Sequence, residues 1–202
     1  MRTIKTMEKY PKKITLNDTT RVIIRPPKSE EVEDLFNFYS KIPKSDLLIF
    51  KEDVSKWENI ESWFTSDRYT KIFQLITIKG REIIANGTLH KEGLYWQDAA
   101  EIKLIVKPEY RGIGLGSKIF NILLSEVFEH KLQKVIVRFT SDNMSFKRII
   151  DHYGFKPETV LRSYIEEEQT KEKKDLIVAS FNLEDWTRRF QFYNFLIKKY
   201  YI

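Results

Sequence analysis

Leu104-Ile105-Val106-Lys107-Pro108-Glu109-Tyr110-Arg111-Gly112-Ile113-Gly114-Leu115-Gly116-Ser117 is the stretch on which the fold turns. Its first residues are mostly branched and apolar and read as the end of a strand over residues 100–107. Pro108 stops that strand, because proline has no N–H to give a ladder. Three of the chain's seven glycines then fall within five positions. Beyond them Ile119, Phe120, Leu123, Leu124, Val127 and Phe128 recur at helical spacing, so residues 113–130 read as an amphipathic helix. A strand, a glycine turn and a helix start therefore follow one another. A helix start exposes unpaired N–H groups and a partial positive charge. Glycines let that backbone approach an anion without Cβ obstruction. The combination is a phosphate cradle. Arg111 adds a charged donor, and the Ser117 hydroxyl lies in the first helical turn.

Two other glycine motifs fail on spacing. A dinucleotide fingerprint needs G-x-G-x-x-G early in a βαβ unit, whereas this chain has G-x-G-x-G in mid-chain. A Walker loop needs Gly-Lys-Ser/Thr, and Gly116-Ser117-Lys118 has the wrong order.

Working outward, residues 14–16 and 22–25 read as short strands around Asn17-Asp18-Thr19. Ser29 reads as the cap of a helix carrying Val32, Leu35, Phe36 and Tyr39, with Pro43 beyond it. A second helix covers 54–64, with Trp57, Ile60 and Phe64 as its buried stripe. Strands follow at 72–78, 82–91 and 100–107. After the helix at 113–130 come a strand at 134–139, a helix at 143–153 ended by Gly154, and a hairpin of strands 159–167 and 174–182. The helix between two adjacent strands implies a crossover. The expected fold is α/β (α+β): a mixed, mostly antiparallel sheet of about seven strands with helices on both faces. Residues 1–13 read as a loose basic terminus, 14–182 as one domain, and 183–202 as an extra aromatic helix. That helix packs on its own domain or on a partner copy, so the expected state is monomer or homodimer.

Composition narrows the function. The chain has 202 residues, enough for one substantial core. It has no cysteine and three scattered histidines, so no thiolate chemistry and no metal site are expected. The net charge of +6 is interspersed with acidic residues rather than gathered in a block, which argues against nucleic acid. No apolar run has the length of a leader or a membrane span, and a cytoplasmic protein is expected.

The residues 111–116 match the Q/R-x-x-G-x-G/A motif of the GNAT superfamily of N-acetyltransferases. Leu104-Ile105-Val106-Lys107-Pro108 resembles that superfamily's fourth strand, and Asn143 with Gly154-Phe155 resembles its N-x(10)-G-F segment. The resemblance implies acetyl-CoA as cofactor. It implies that two strands splay apart and that main-chain groups of Leu104, Ile105 and Val106 hold the pantetheine arm. It implies a cradle of Arg111, Gly112, Ile113, Gly114, Leu115, Gly116 and Ser117, and a pantetheine contact from Asn143. The last residue is also a natural helix cap.

Transfer of acetyl to an amine needs a base, oxyanion stabilisation and a leaving thiolate. In many members of the superfamily a tyrosine seven residues after the Asn protonates the thiolate. Here that position is Ile150, and Tyr153 is a distant substitute. Glu101 is the candidate base, because Ala100-Glu101 resembles the matching stretch of Pat-type protein lysine acetyltransferases. Asp98 and His90 are weaker candidates, and His130 and His152 read as helix-surface residues. Residues 14–26 also resemble the opening hairpin of the Pat-type branch, with Thr19 where glycine is usual. That branch implies a protein lysine as acceptor; a small amine or polyamine is the alternative, as is an idle acetyl-CoA-sensing domain.

Overall fold

A computed structural model gives the architecture. It describes residues 9–50, 52–65, 72–91, 98–167 and 170–184. The helix expected over 183–202 lies outside the described residues beyond Glu184. Eight strands form one sheet, against about seven expected: β1 (Lys12–Thr15), β2 (Arg21–Arg25), β3 (Ile72–Lys79), β4 (Glu82–Lys91), β5 (Ala99–Val106), β6 (Lys134–Thr140), β7 (Lys156–Glu166) and β8 (Lys173–Asn182). Their order is β1-β2-β3-β4-β5-β6-β8-β7. All neighbours are antiparallel except β5 and β6, which are parallel. β1 begins inside the terminus expected to be loose. Tyr10 anchors it: its ring lies against Phe73 and its hydroxyl donates to the buried Glu126 carboxylate at 3.0 Å.

Five helices are described: α1 (Val32–Ser40), α2 (Lys44–Leu47), α3 (Trp57–Thr65), α4 (Leu115–Glu129) and α5 (Met144–His152). Several elements differ from expectation, among them β7, which starts at Lys156 rather than 159. Ser29 does not cap α1; it opens a 3-10 turn, and the Lys28 N–H donates to the Glu31 carboxylate at 2.7 Å. α3 starts at Trp57 rather than 54, because the Asp53 side chain takes the Ser55 N–H at 3.0 Å and holds a turn there. α2 was not foreseen; four residues carry no periodicity. Trp57 and Phe128, expected to be buried, are each 38% exposed.

Strand alternation sorts the core into two layers. On one face Ala85, Leu89, Ala100, Ile102, Val135 and Val137 pack under α4 and α5. On the other, Ile76, Ile83 and Ile105 pack under α1 and α3, with Phe38, Tyr39 and Trp63 above them. Glycine at 87 lets α4 sit close to β4: a Cβ there would come within 2.7 Å of Ile119 Cγ2. No helix among the described residues is long and apolar enough to cross a membrane.

Candidate functional site

The parallel seam between β5 and β6 is short. Only Ala99↔Lys134, Ala100↔Val135 and Glu101↔Ile136 pair across it. β5 continues to Val106 on β4, and β6 continues to Thr140 on β8. Among the described residues, the β6-facing edge of β5 therefore has no partner strand from Ile102 onward. Backbone groups alternate sides along a strand. The Lys107 N–H donates to the Ile84 carbonyl on β4, so residues of odd number turn that way. Leu104 and Val106 present their N–H and C=O groups to the free edge, whereas those of Ile105 face β4. The three residues expected to act alike are thus divided.

The glycine turn lies at the end of this edge. Gly112 has φ +76° and Gly114 φ +85°, a left-handed region that a side chain rarely adopts. A Cβ on Gly112 would meet nothing within 4 Å, so the turn faces open space there. Gly114 is the N-cap of α4, and no side chain caps that terminus. Gly116 has a packing role instead: its Cβ would touch Ile149 at 3.4 Å and Leu104 at 3.7 Å. Leu115 is buried, Ile113 is half-buried, and Ser117 is exposed in the first turn. Asn17, from the β1–β2 turn, braces the cradle. Its N–H donates to the Ile113 carbonyl at 3.2 Å, and its amide lies 3.0 Å from where a Gly114 Cβ would be.

Arg111 is already engaged. Its Nε donates to the Val106 carbonyl at 2.9 Å, and its Nη2 meets the Asp46 carboxylate at 2.5 Å. The expected phosphate donor is thus tied to α2 and to the free edge itself. Asn143 is the N-cap of α5, its Oδ1 accepting from the Phe146 N–H at 3.1 Å. Ile150 is 2% exposed in the core. Tyr153 packs tilted on Phe120 at 5.3 Å, and burial pushes its phenol pKa up.

Glu101 lies on the face that looks toward α1 and α3, 5% exposed. Arg138 of β6 pairs with it at 2.7 Å, and Lys103 approaches at 3.9 Å. Lys103 also sits 5.2 Å over the Phe50 ring. His90 is opposite Glu101 on β4. Its Nε2 lies 2.8 Å from the Thr88 hydroxyl. Burial first, and Lys103 second, pull its pKa down to about 3, which leaves a neutral and weakly basic ring. Asp98 is exposed at the foot of β5, where its carbonyl takes the Gln133 and Lys134 N–H groups. His152 is exposed, whereas His130 is half-buried, 3.9 Å from Glu126.

The structure therefore brings Glu101, the free edge of β5 and the glycine turn to one seam. Asn17, Asp46 and Arg138 were missed by the sequence reading. Lys103 was legible in principle, since two residues along a strand return to the same face.

This fold has counterparts among solved structures. One from Salmonella typhimurium, with its cofactor acetyl-CoA, aligns at TM-score 0.68 and 16% identity, covering 80% of this chain and 94% of that one. The ribosomal-protein-S5-alanine acetyltransferase of Vibrio fischeri aligns at 0.67 and 15%, covering 82% and 94%. The GNAT domain of S. lividans PAT aligns at 0.68 and 18%, covering 86% and 97%. At such identities the likeness is one of fold. No curated protein matches the sequence. The family model described as "Acetyltransferase (GNAT) domain" does match, over residues 21–156. With two-thirds of its length inside that match, the chain belongs to the GNAT acetyltransferase family and is an acetyl-CoA-dependent N-acetyltransferase.

Proposed function

We propose that the seam between β5 and β6 is where acetyl-CoA and a primary amine meet, with direct transfer of acetyl in a ternary complex. The observation that carries this reading is the end of strand pairing at Glu101↔Ile136. It leaves hydrogen-bonding edge groups of Leu104 and Val106 beside an uncapped helix start with two left-handed glycines. A pantetheine arm carries amides that can bond such an edge as a strand would. A pyrophosphate suits the N–H groups of residues 112–117. The residues present fit the group.

Acetyl-CoA supplies the activated thioester. The chain's own residues supply the rest. A free N–H of the β5 edge polarises the thioester carbonyl, in the manner of an oxyanion hole. Glu101, directly or through water, takes a proton from the amine as nitrogen bonds to the carbonyl carbon and the carbon–sulfur bond breaks. The thiolate departs without a tyrosine, since Ile150 occupies that place in the core. A thiol that titrates near ~8.5 is a fair leaving group unaided. Arg111 leaves Asp46 for a phosphate.

The proposed acceptor is a protein lysine, with a small-molecule amine as the alternative. The Pat-like hairpin supports the first: Thr19 has φ +69°, the conformation that glycine would supply there. An acetyl-CoA-binding domain without turnover is the second reading, favoured by the ion pairing of Glu101 and by Ile150. Calorimetry with acetyl-CoA, followed by thiol release on peptide and amine panels, separates these. We expect saturable binding that is abolished in Gly114→Glu. Absence of binding at millimolar acetyl-CoA would refute the site, and binding without release on every acceptor would favour the sensor.

A further inference from the structure

The Arg111 guanidinium lies across the end of the free edge of β5. Its Nε donates to the Val106 carbonyl at 2.9 Å, and its Nη2 donates to the Asp46 carboxylate at 2.5 Å. Val106 is one of the residues whose edge groups the short seam leaves to a ligand. In this arrangement the chain's own arginine therefore occupies an acceptor on that edge. A phosphate drawn to the N–H groups of residues 112–117 would have to share the guanidinium with a carboxylate already on it.

Asp46 belongs to a segment that reaches toward the other end of the site. It lies on α2, its N–H bonded to the Pro43 carbonyl at 2.9 Å. The turn runs on to Phe50, whose N–H donates to the Leu47 carbonyl at 3.0 Å. The Phe50 ring stands edge-on to Tyr39 at 5.7 Å and stacks on Trp63 at 6.5 Å. Lys103 Nζ lies 5.2 Å over the same ring, and Lys103 is the residue that approaches Glu101 at 3.9 Å. One end of residues 46–50 is thus tied to the cradle arginine, and the other end covers the lysine beside the candidate base.

The tie is weak enough to be broken. The Arg111 and Asp46 side chains keep 43% and 26% of their exposure, and ion pairs this open to water contribute little. A diphosphate brings more than one negative charge, and it gains charge-assisted bonds to a helix start as well as to the guanidinium. It would also repel the Asp46 carboxylate.

Resting on the cofactor seam proposed above, we propose that Asp46 is an autoinhibitory counterion. It holds Arg111 over the end of the β5 edge until the phosphates of acetyl-CoA take the guanidinium. Its release loosens residues 44–50, so that Phe50 moves off Lys103 and the amine gains its approach to Glu101. Asp46 is a positioning residue in this scheme, since it acts through Arg111 and Phe50. The opposite role, a carboxylate that aims Arg111 at the phosphates, predicts the opposite sign of effect.

The test compares the parent with Asp46→Asn by calorimetry with acetyl-CoA and by amide exchange over residues 44–50. We expect Asp46→Asn to bind acetyl-CoA about 2–5-fold more tightly, since a competitor for Arg111 has lost its charge. In the parent, saturating acetyl-CoA should speed exchange of the Asp46 and Phe50 amides at least about threefold. In Asp46→Asn these amides should exchange fast already, and acetyl-CoA should change them by less than about 1.5-fold. Equal or weaker binding in Asp46→Asn overturns the inference. So does exchange over 44–50 that is unchanged or slowed when acetyl-CoA binds the parent. The two readings fail separately: no binding of acetyl-CoA to the parent refutes the seam and the counterion with it, whereas binding with the wrong sign in either measurement refutes the counterion alone.

Discussion

Glu101→Gln tests whether the candidate base is also a structural charge. The Glu101 carboxylate is 5% exposed and neutralises Arg138 at 2.7 Å, with Lys103 at 3.9 Å. The amide keeps the shape and removes the charge, so Arg138 and Lys103 lose the carboxylate that faces them. Breaking a buried ion pair from one side costs about 3–5 kcal/mol. The side chains of Arg138 and Lys103 keep 20% and 11% of their exposure, and water will screen part of the loss. The lower end, about 3 kcal/mol, is the expected value. For a chain of this size that is a fall in Tm of about 6–12 °C by calorimetry. Arg138→Met placed on top of Glu101→Gln should return part of the lost stability, since it removes the charge that Glu101 had faced. It should not return the rate, where a general base contributes about 10²–10⁴-fold. A Tm within about 2 °C of the parent would refute the ion-pair argument. Recovery of stability and rate together in the double variant would show that Glu101 never handles the proton.

Four other substitutions probe the scaffold. Gly87→Ala would drive a Cβ to 2.7 Å from Ile119 Cγ2 and 2.9 Å from Leu123 Cδ1, so denaturant unfolding should show a loss of about 1–3 kcal/mol. Thr19→Gly should raise stability by up to about 1 kcal/mol in the same assay, because Thr19 has φ +69°. Asn143→Ala removes the cap of α5 and should cost about 0.5–2 kcal/mol; weakened acetyl-CoA binding at unchanged cradle geometry would add a cofactor contact. His90 predicts a pH effect. Its folded pKa is lowered to about 3 from 6.5, so the unfolded chain binds the extra proton between those values. Stability should therefore fall as pH drops below about 6.5 toward 3, and His90→Gln should flatten that part of the profile of Tm against pH.

The local geometry of the candidate site was partly legible, because its signals are local. The glycines at 112 and 114 stand out in a glycine-poor chain, and both take left-handed φ. The strand–turn–helix order around Pro108 and the cap at Asn143 are written within single segments. What was hidden depends on contacts between distant segments. Nothing near Arg111 announces that Asp46, on a four-residue helix, will hold its guanidinium. Nothing near Glu101 announces Arg138, whose place depends on a three-rung register. The division of residues 104–106 required the direction of a single backbone bond from Lys107.

The brevity of the β5–β6 seam has a mechanical consequence. Three rungs join a leaf made of β1–β5 to a leaf made of β6, β8 and β7. On the proposed reading, a ligand lying along the open edge would act as a surrogate strand, supplying rungs that the polypeptide omits. The protein without ligand is then expected to flex at this seam more than its loaded form, under the helices that both leaves share. Amide exchange should show the difference: protection in β6 and β8 that opens independently of β3 and β4 without ligand, and that rises in step with them when acetyl-CoA is present. In the proposed arrangement the ligand would also hold the spacing between Glu101 on one leaf and Arg138 on the other.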